Sequence, residues 1–334
     1  MGVDGKDIKI IQNLYWNQES SVLIDGELSN WIEIKRGVRQ GCVLSPLLFN
    51  IYSEEIIREG LENMKEGIKI NGITINNLRF ADDTILLACS EEDLQNLLTS
   101  INKQSEKMGL KINENKTKIM KISKIKQPYI SNININNKPI EAVNSITYLG
   151  RQFNHILDHS VEIKKRIGMA KSSFLKLKNI LCNTKLNIDI KCKVLKCYVW
   201  SVLLYGCETW TLKKDCVNRL NAFEMWSYRR MLKIKWTDKV SNKNVLERVN
   251  QKRQLMYIIK KRKTQYLGHI LRNSEYELPR LTLEGKRGRG RPRLTWLDKI
   301  KEWTKKKNEE LFRLAQNRED FRLLVANLHC EDGT

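Results

Sequence analysis

The stretch Leu78-Arg79-Phe80-Ala81-Asp82-Asp83-Thr84-Ile85-Leu86-Leu87-Ala88 decides how the chain is read. Two adjacent carboxylates, Asp82 and Asp83, stand between apolar runs that are each about as long as a strand. The pattern predicts strand, tight turn, strand, with the acids held at the turn. Two anions forced together by backbone geometry repel, and a hard divalent cation, Mg2+ or Mn2+, relieves the repulsion. Phosphoryl transfer is the chemistry that such a metal serves. Acids also sit in many turns that do no chemistry. The flanking sequence therefore has to carry the argument.

Upstream, Ile68-Lys69-Ile70-Asn71-Gly72-Ile73-Thr74-Ile75 predicts a hairpin that leads into the Asp-Asp strand. Before it lies Arg36-Gly37-Val38-Arg39-Gln40-Gly41-Cys42-Val43-Leu44-Ser45-Pro46. Gly37 and Gly41 allow close backbone approach, Arg36 and Arg39 offer charge for phosphates, and Gln40 offers both a donor and an acceptor. Ser45-Pro46 predicts a helix start with Ser45 as N-cap, and the helix continues through Ile57. Asp7 to Trp16 predicts a further helix, and Ser21–Leu28 with Trp31–Ile34 a hairpin turning at Asp25-Gly26. Downstream, Glu91 to Met108 predicts an amphipathic helix closed by Gly109. Gly109 to Met120 then turns into a strand.

Arg36 to Phe49, Phe80-Ala81-Asp82-Asp83 and Gly109 to Met120 follow the order and spacing of reverse transcriptases, most closely those of non-LTR (LINE-like) retrotransposons. The first stretch resembles the template- and nucleotide-contacting motif, and the second the metal-binding aromatic-x-Asp-Asp box. Asn113 with Lys116-Thr117 resembles a motif whose lysine lies near the triphosphate. Tyr148-Leu149-Gly150 resembles the primer grip. The resemblance implies an α/β palm, an antiparallel sheet with helices on one face and partial fingers, followed by an all-helical thumb and C-terminal region. It implies Asp82 and Asp83 as metal ligands and Lys116 at the leaving pyrophosphate, where a solvated strand-edge lysine is the plainer alternative. It also implies Arg36, Gln40, Gly41 and Phe80 as nucleotide and template contacts, with an RNA template, a DNA primer or target and deoxynucleoside triphosphates as partners.

The composition agrees with a polyanionic partner. Across 334 residues, 60 Lys and Arg face 38 Asp and Glu, a net charge of +22. No apolar run reaches the length of a spanning helix, so no membrane partner is expected. The eight cysteines form no CxxC pair, sit mostly in apolar helical contexts and are predicted to be reduced, intracellular core residues. His155 and His159, four apart without a cysteine pair nearby, predict ordinary solvated histidines rather than zinc ligands. Beyond residue 155 three helices with basic outer faces are predicted, Glu162–Leu181, Ile188–Tyr205 and Cys216–Ile234, their aromatics mostly core. The expected division is 1–155 fingers and palm, 156–235 thumb, and 236–334 a basic helical C-terminal region. Within the last, residues 285–293 form an Arg/Gly-rich segment that cannot pack a core. Its Lys286, Arg287, Arg289, Arg291 and Arg293 are predicted phosphate contacts, with entry of the arginines into a narrow minor groove as the alternative.

The resulting expectation is a C-terminal fragment of an intracellular, nuclear RNA-directed DNA polymerase. Family members carry a further catalytic carboxylate in a motif before the helix near Asp7, and none of the early acids here follows an apolar strand as that role demands. The fragment is therefore expected not to polymerise alone. The rival expectation is a non-catalytic nucleic-acid-binding remnant.

Overall fold

The computed structural model describes residues 4–123, 131–285 and 295–328. The chain divides into two compact units: Met1–Thr117 with Ser131–Ile140, and Lys118–Ile130 with Glu141–Thr334.

The first unit carries helices α1 (Gly5–Tyr15), α2 (Ser45–Leu61) and α3 (Glu91–Lys107). α3 starts where Ser90 Oγ accepts the Asp93 N–H at 3.0 Å, and it stops at Gly109, whose φ of +77° closes the last turn. Its apolar positions Leu97 and Ile101 pack on Ile57 and Leu61 of α2, with Leu86 and Ile112 at the edge of this core. α2 departs from expectation. Its N-cap position is Leu44, and the Ser45 hydroxyl lies 2.9 Å from the Tyr15 hydroxyl. A tertiary partner has taken the oxygen that would have capped the helix.

Short hairpins surround these helices. Asp25 (φ +51°) and Gly26 (+90°) join Leu23–Ile24 to Glu27–Leu28, both residues left-handed as a type I′ turn requires. Asn71 (+49°) and Gly72 (+85°) do the same for Ile68–Ile70 and Ile73–Ile75. Ile32–Ile34 pairs with Gln18–Ser20 rather than with the Leu23–Leu28 hairpin. Among the described residues the strands pair only two by two, where one palm sheet was expected. They are two to four residues long, and left-handed turns end them before a third strand can add to the ladder.

The second unit opens with strands and continues as helices: α4 (His159–Lys176), α5 (Lys178–Leu181), α6 (Ile188–Val194), α7 (Ser201–Leu203), α8 (Lys214–Met231), α9 (Asn242–Val249), α10 (Leu255–Arg272), α11 (Glu277–Glu284), α12 (Trp296–Thr304), α13 (Asn308–Gln316) and α14 (Arg318–Ala326). The helix expected over 188–205 is interrupted by a π-helical turn at Leu195–Trp200. Pro279 lies in the first turn of α11, where its missing N–H leaves no bond unmade. Phe174, Trp200, Trp210, Leu220 and Tyr228 fill a continuous core that extends into α10. A second core joins α10 to α12, α13 and α14. Gly268 permits that approach, since a β-carbon there would lie 2.7 Å from the Phe321 ring.

Glu224 of α8 is fully buried, and its Oε1 accepts the N–H groups of Gln254 (2.8 Å) and Leu255 (3.1 Å). The carboxylate thus satisfies unpaired donors at the start of α10, where the helix dipole favours negative charge. Burial nevertheless pushes its pKa up.

Candidate functional site

Strands Asn77–Phe80 and Asp83–Leu86 pair with Phe80 opposite Asp83, Arg79 opposite Thr84 and Asn77 opposite Leu86. Ala81 and Asp82 form the two-residue turn. Ala81 has φ +54°, a left-handed conformation that costs a residue with a β-carbon about 1 kcal/mol. Such strain persists only where the surroundings impose it. Arg79 reaches Glu54 of α2 at 2.7 Å, and Leu86 enters the α2–α3 core. Side chains alternate along a strand, so the side holding Arg79, Thr84 and Leu86 faces the helices. Phe80 and Asp83 therefore project from the side opposite α2 and α3. Phe80 is 62% exposed, and Asp82 and Asp83 are exposed beside it.

The glycine loop lies in the same unit. Gly37 (φ +99°) and Gly41 (+87°) both take conformations that favour glycine, and Arg36, Gln40 and Gly41 are exposed. Arg39, exposed like its neighbours, is held within the unit by two of its nitrogens. Its Nε donates to Gln18 Oε1 at 3.0 Å and its Nη2 to the Leu14 carbonyl at 2.9 Å, tying the loop to the end of α1. Beside it the Tyr15 hydroxyl, 3.5 Å from the Cys42 sulfur, holds that thiol down to about 7.

Lys116 lies in a turn rather than on a strand. Asn113 accepts the Lys116 N–H through its carbonyl (3.2 Å) and its Oδ1 (3.1 Å), and it also accepts the Thr117 hydroxyl at 2.8 Å. This local bonding keeps Asn113–Thr117 out of the ladder, which begins only at Lys118–Ile119. The neighbouring Glu114 pairs with Lys138 at 2.8 Å, which holds its carboxyl below the usual range. The Lys116 side chain is exposed and has no ion pair among the described residues.

Tyr148, Leu149 and Gly150 belong to the second unit, at the turn between Ser145–Tyr148 and Arg151–Asn154. Leu149 (φ +46°) and Gly150 (+72°) make the turn. Tyr205 OH donates to the Leu149 carbonyl at 2.9 Å, and Arg166 donates to the Gly150 carbonyl. Arg166 is itself fixed by the buried Glu162 at 2.7 Å, and its guanidinium lies 4.5 Å above the Tyr205 ring. Glu162 also accepts the Gln152 N–H at 2.9 Å. Nothing in the motif itself pointed to this brace, although the i,i+4 spacing of Glu162 and Arg166 is a visible signal.

His159 corrects the expectation of a solvated histidine. It is the first residue of α4, and burial, with Arg151 nearby, holds its pKa at about 4. The aromatics expected in the core mostly lie there, Trp200, Trp210, Phe223 and Tyr228 among them, but Tyr205 is 49% exposed. Cys89 and Cys197 are exposed rather than core. The segment with Lys286, Arg287, Arg289, Arg291 and Arg293 lies outside the described residues.

Two neighbouring carboxylates in water fit one hard cation that keeps most of its own waters. They do not close a site alone. Among the described residues no group of three or more His, Cys, Asp or Glu side chains is arranged to hold a metal. No helix among them is long and apolar enough to cross a membrane.

Residues 1–153 match the family described as reverse transcriptase (RNA-dependent DNA polymerase). Over these residues the chain resembles a LINE-like, non-LTR reverse transcriptase. A transposon-derived protein of Caenorhabditis elegans is 27% identical over 245 residues, 70% of this chain and 87% of that protein. The retrovirus-related Pol polyprotein from type-1 retrotransposable element R2 of Popillia japonica is 25% identical over 62% of this chain and 34% of its own length. The RNA-directed DNA polymerase from mobile element jockey of Drosophila funebris is 24% identical over 68% and 25% respectively. The chain thus spans most of the worm protein but about a third or less of the two insect proteins.

Proposed function

We propose that this chain is part of an RNA-directed DNA polymerase that copies an RNA template onto a DNA primer. The observation that carries the reading is the exposed pair Asp82 and Asp83 at a strained turn, on the side of the hairpin away from α2 and α3. In the reaction the primer 3′ hydroxyl attacks the α-phosphorus of a deoxynucleoside triphosphate. The bond to the β-phosphate breaks, and pyrophosphate leaves. Asp82 and Asp83 would hold a divalent cation, Mg2+ or Mn2+, which supplies charge stabilisation to the attacking and leaving oxygens. Lys116, exposed and without a carboxylate partner among the described residues, would offer a charge or a proton to pyrophosphate. Arg36, Gln40, Gly41 and Phe80 would shape the nucleotide and template contacts. The braced turn Tyr148–Gly150 would present backbone to the primer, and Lys286, Arg287, Arg289, Arg291 and Arg293 would meet phosphates. Residues 1–155 serve in this reading as fingers and palm, 156–235 as thumb and 236–334 as a basic extension acting on nuclear target DNA.

One observation favours a second reading, a nucleic-acid-binding chain without chemistry. Asp82 and Asp83 have no third carboxylate gathered about them among the described residues. Two cations held for in-line attack need a bridging carboxylate from another strand. Activity should therefore depend on one supplied from elsewhere. The test is primer extension on an RNA template, by this chain alone and with a palm fragment of a related enzyme that carries the further carboxylate. The polymerase reading expects extension only in the mixture, lost on Asp82→Ala in this chain. Failure of the mixture would favour the non-catalytic reading. Extension by the chain alone would overturn the need for a further ligand.

A further inference from the structure

Behind α8, in the second unit, lies a cleft of about 970 Å³ whose lining shares no residue with the turns described above. Its cations are Lys178, Arg229, Arg230, Lys233 and Lys235, and no carboxylate lines it. Arg229 has a structural task, donating to the Val240 carbonyl (2.8 Å) and to Asn242 Oδ1 (3.0 Å). Lys178, Arg230, Lys233 and Lys235 are exposed and form no ion pair among the described residues. Asp238, just beyond, accepts the Lys235 backbone N–H at 2.8 Å.

Two indoles complete the cleft, and they differ in kind. Trp226 is built into the wall, stacked on Phe223 at 5.8 Å and edge-on to Phe174 at 5.0 Å, with the Arg230 guanidinium 5.2 Å over its ring. Trp236 is 88% exposed at the head of the short turn Trp236–Asp238. An indole held in water contributes nothing to the core, and its neighbours here are unpaired cations. The complementary ligand is anionic at intervals and offers planar apolar faces between its charges. An unpaired polynucleotide has that form. In a duplex the base faces are already stacked on one another, so Trp236 would gain little from one. An acidic peptide supplies charge without the flat face.

We propose that this cleft binds a single-stranded segment of nucleic acid, with a base stacked on Trp236 and the adjoining phosphates on Arg230, Lys233 and Lys235. The site stands on the second unit alone and does not depend on the reading of Asp82. Its exposed position means that Trp236→Ala should leave the circular dichroism and thermal midpoint unchanged.

The experiment measures binding of the full chain to labelled twelve-residue oligothymidylate and to a duplex of the same length, across a salt series. Trp236→Ala should weaken oligothymidylate binding about tenfold with an unchanged salt slope, while Trp236→Phe retains most of the affinity. Lys233→Gln with Lys235→Gln should lower the slope by about 1.4 units, the share of two phosphate contacts on a single strand. Duplex binding should not respond to Trp236→Ala. Unchanged oligothymidylate affinity in Trp236→Ala would overturn the proposal. So would an equal loss on the duplex, or displacement of the oligonucleotide by an equimolar polyglutamate peptide.

Discussion

The turn that carries Asp82 and the helices that enclose Trp210 sit on very different foundations. Around the turn, the apolar cluster between α2 and α3 is small among the described residues, Ile57, Leu61, Leu97 and Ile101, with Ile56, Leu98, Ile133, Ile135 and Ile140 of the same unit also buried. Leu23, Trp31, Val43 and Phe80 of the same unit are 62–92% exposed. In the second unit Phe174, Leu181, Leu195, Leu203, Trp210, Leu220 and Tyr228 are wholly buried in one cluster. The difference follows from what each part can leave in water. In the proposed reading, groups that would meet a cation, a triphosphate or a polynucleotide have to stay accessible, and the segment holding them would give up burial. The helical unit buries a larger apolar cluster, although Leu175, Tyr198, Trp236 and Leu323 stay exposed. It even tolerates buried charge, Glu224 at a helix start and Lys263 among aromatic rings.

That contrast can be broken most readily by deleting matched side chains. Leu220→Ala removes a fully buried side chain from the large cluster and should cost about 3 kcal/mol, with hydrogen-exchange protection falling across α4 and α8. Leu23→Ala, at a position 66% exposed, should stay within about 0.5 kcal/mol. A similar cost at both sites would show that the exposed face around Leu23 is covered in solution, and the contrast would fail.

A smaller effect sharpens the other side. Lys263 is fully buried, its Nζ donating to the Trp210 carbonyl and lying 4.6 Å from the Trp296 ring centre. Burial holds its pKa at about 7. An unfolded chain keeps this proton up to about pH 10.4. Between those values the unfolded state binds more protons, so stability rises with pH; below pH 7 both states are protonated and the cost of the buried charge is complete. Cys207, which burial pushes up to about 12, acts in the opposite sense above pH 9. The rise should therefore be read between pH 7 and 9. Lys263→Met should flatten it and raise the thermal midpoint at pH 7 by about 3 °C. A wild-type profile already flat over that range would mean that Lys263 is solvated after all.

Much of this arrangement was legible in the residues. Asp25-Gly26 and Asn71-Gly72 announce their hairpins because only those residue types accept two left-handed positions cheaply. Ser90, Ser241 and Thr295 announce helix starts because their oxygens have no competing partner in the fold. Ser45 misleads for the complementary reason, since Tyr15 claims its hydroxyl from thirty residues away. The Asp-Asp turn was legible from local pattern together with motif order. Which side of the hairpin it faces was not, because that depends on the Arg79–Glu54 pair. Lys263, Glu224 and His159 read as surface residues on any helical pattern, and only tertiary packing buries the first two and half-buries His159. Trp236 carried no signal at all, for an exposed indole and a core indole are the same letter.

The central claim is that Asp82 and Asp83 form a weak cation site on an otherwise open turn, and calorimetric titration of the chain with Mn2+ tests it most directly. The account predicts weak binding at that turn, reduced about tenfold, the equivalent of ~1.4 kcal/mol, in Asp82→Asn. Circular dichroism of that variant should stay unchanged, since Asp82 is exposed and contributes nothing to the core. Mn2+ affinity that is the same in Asp82→Asn as in the wild-type chain would contradict the assignment of the turn as a metal site.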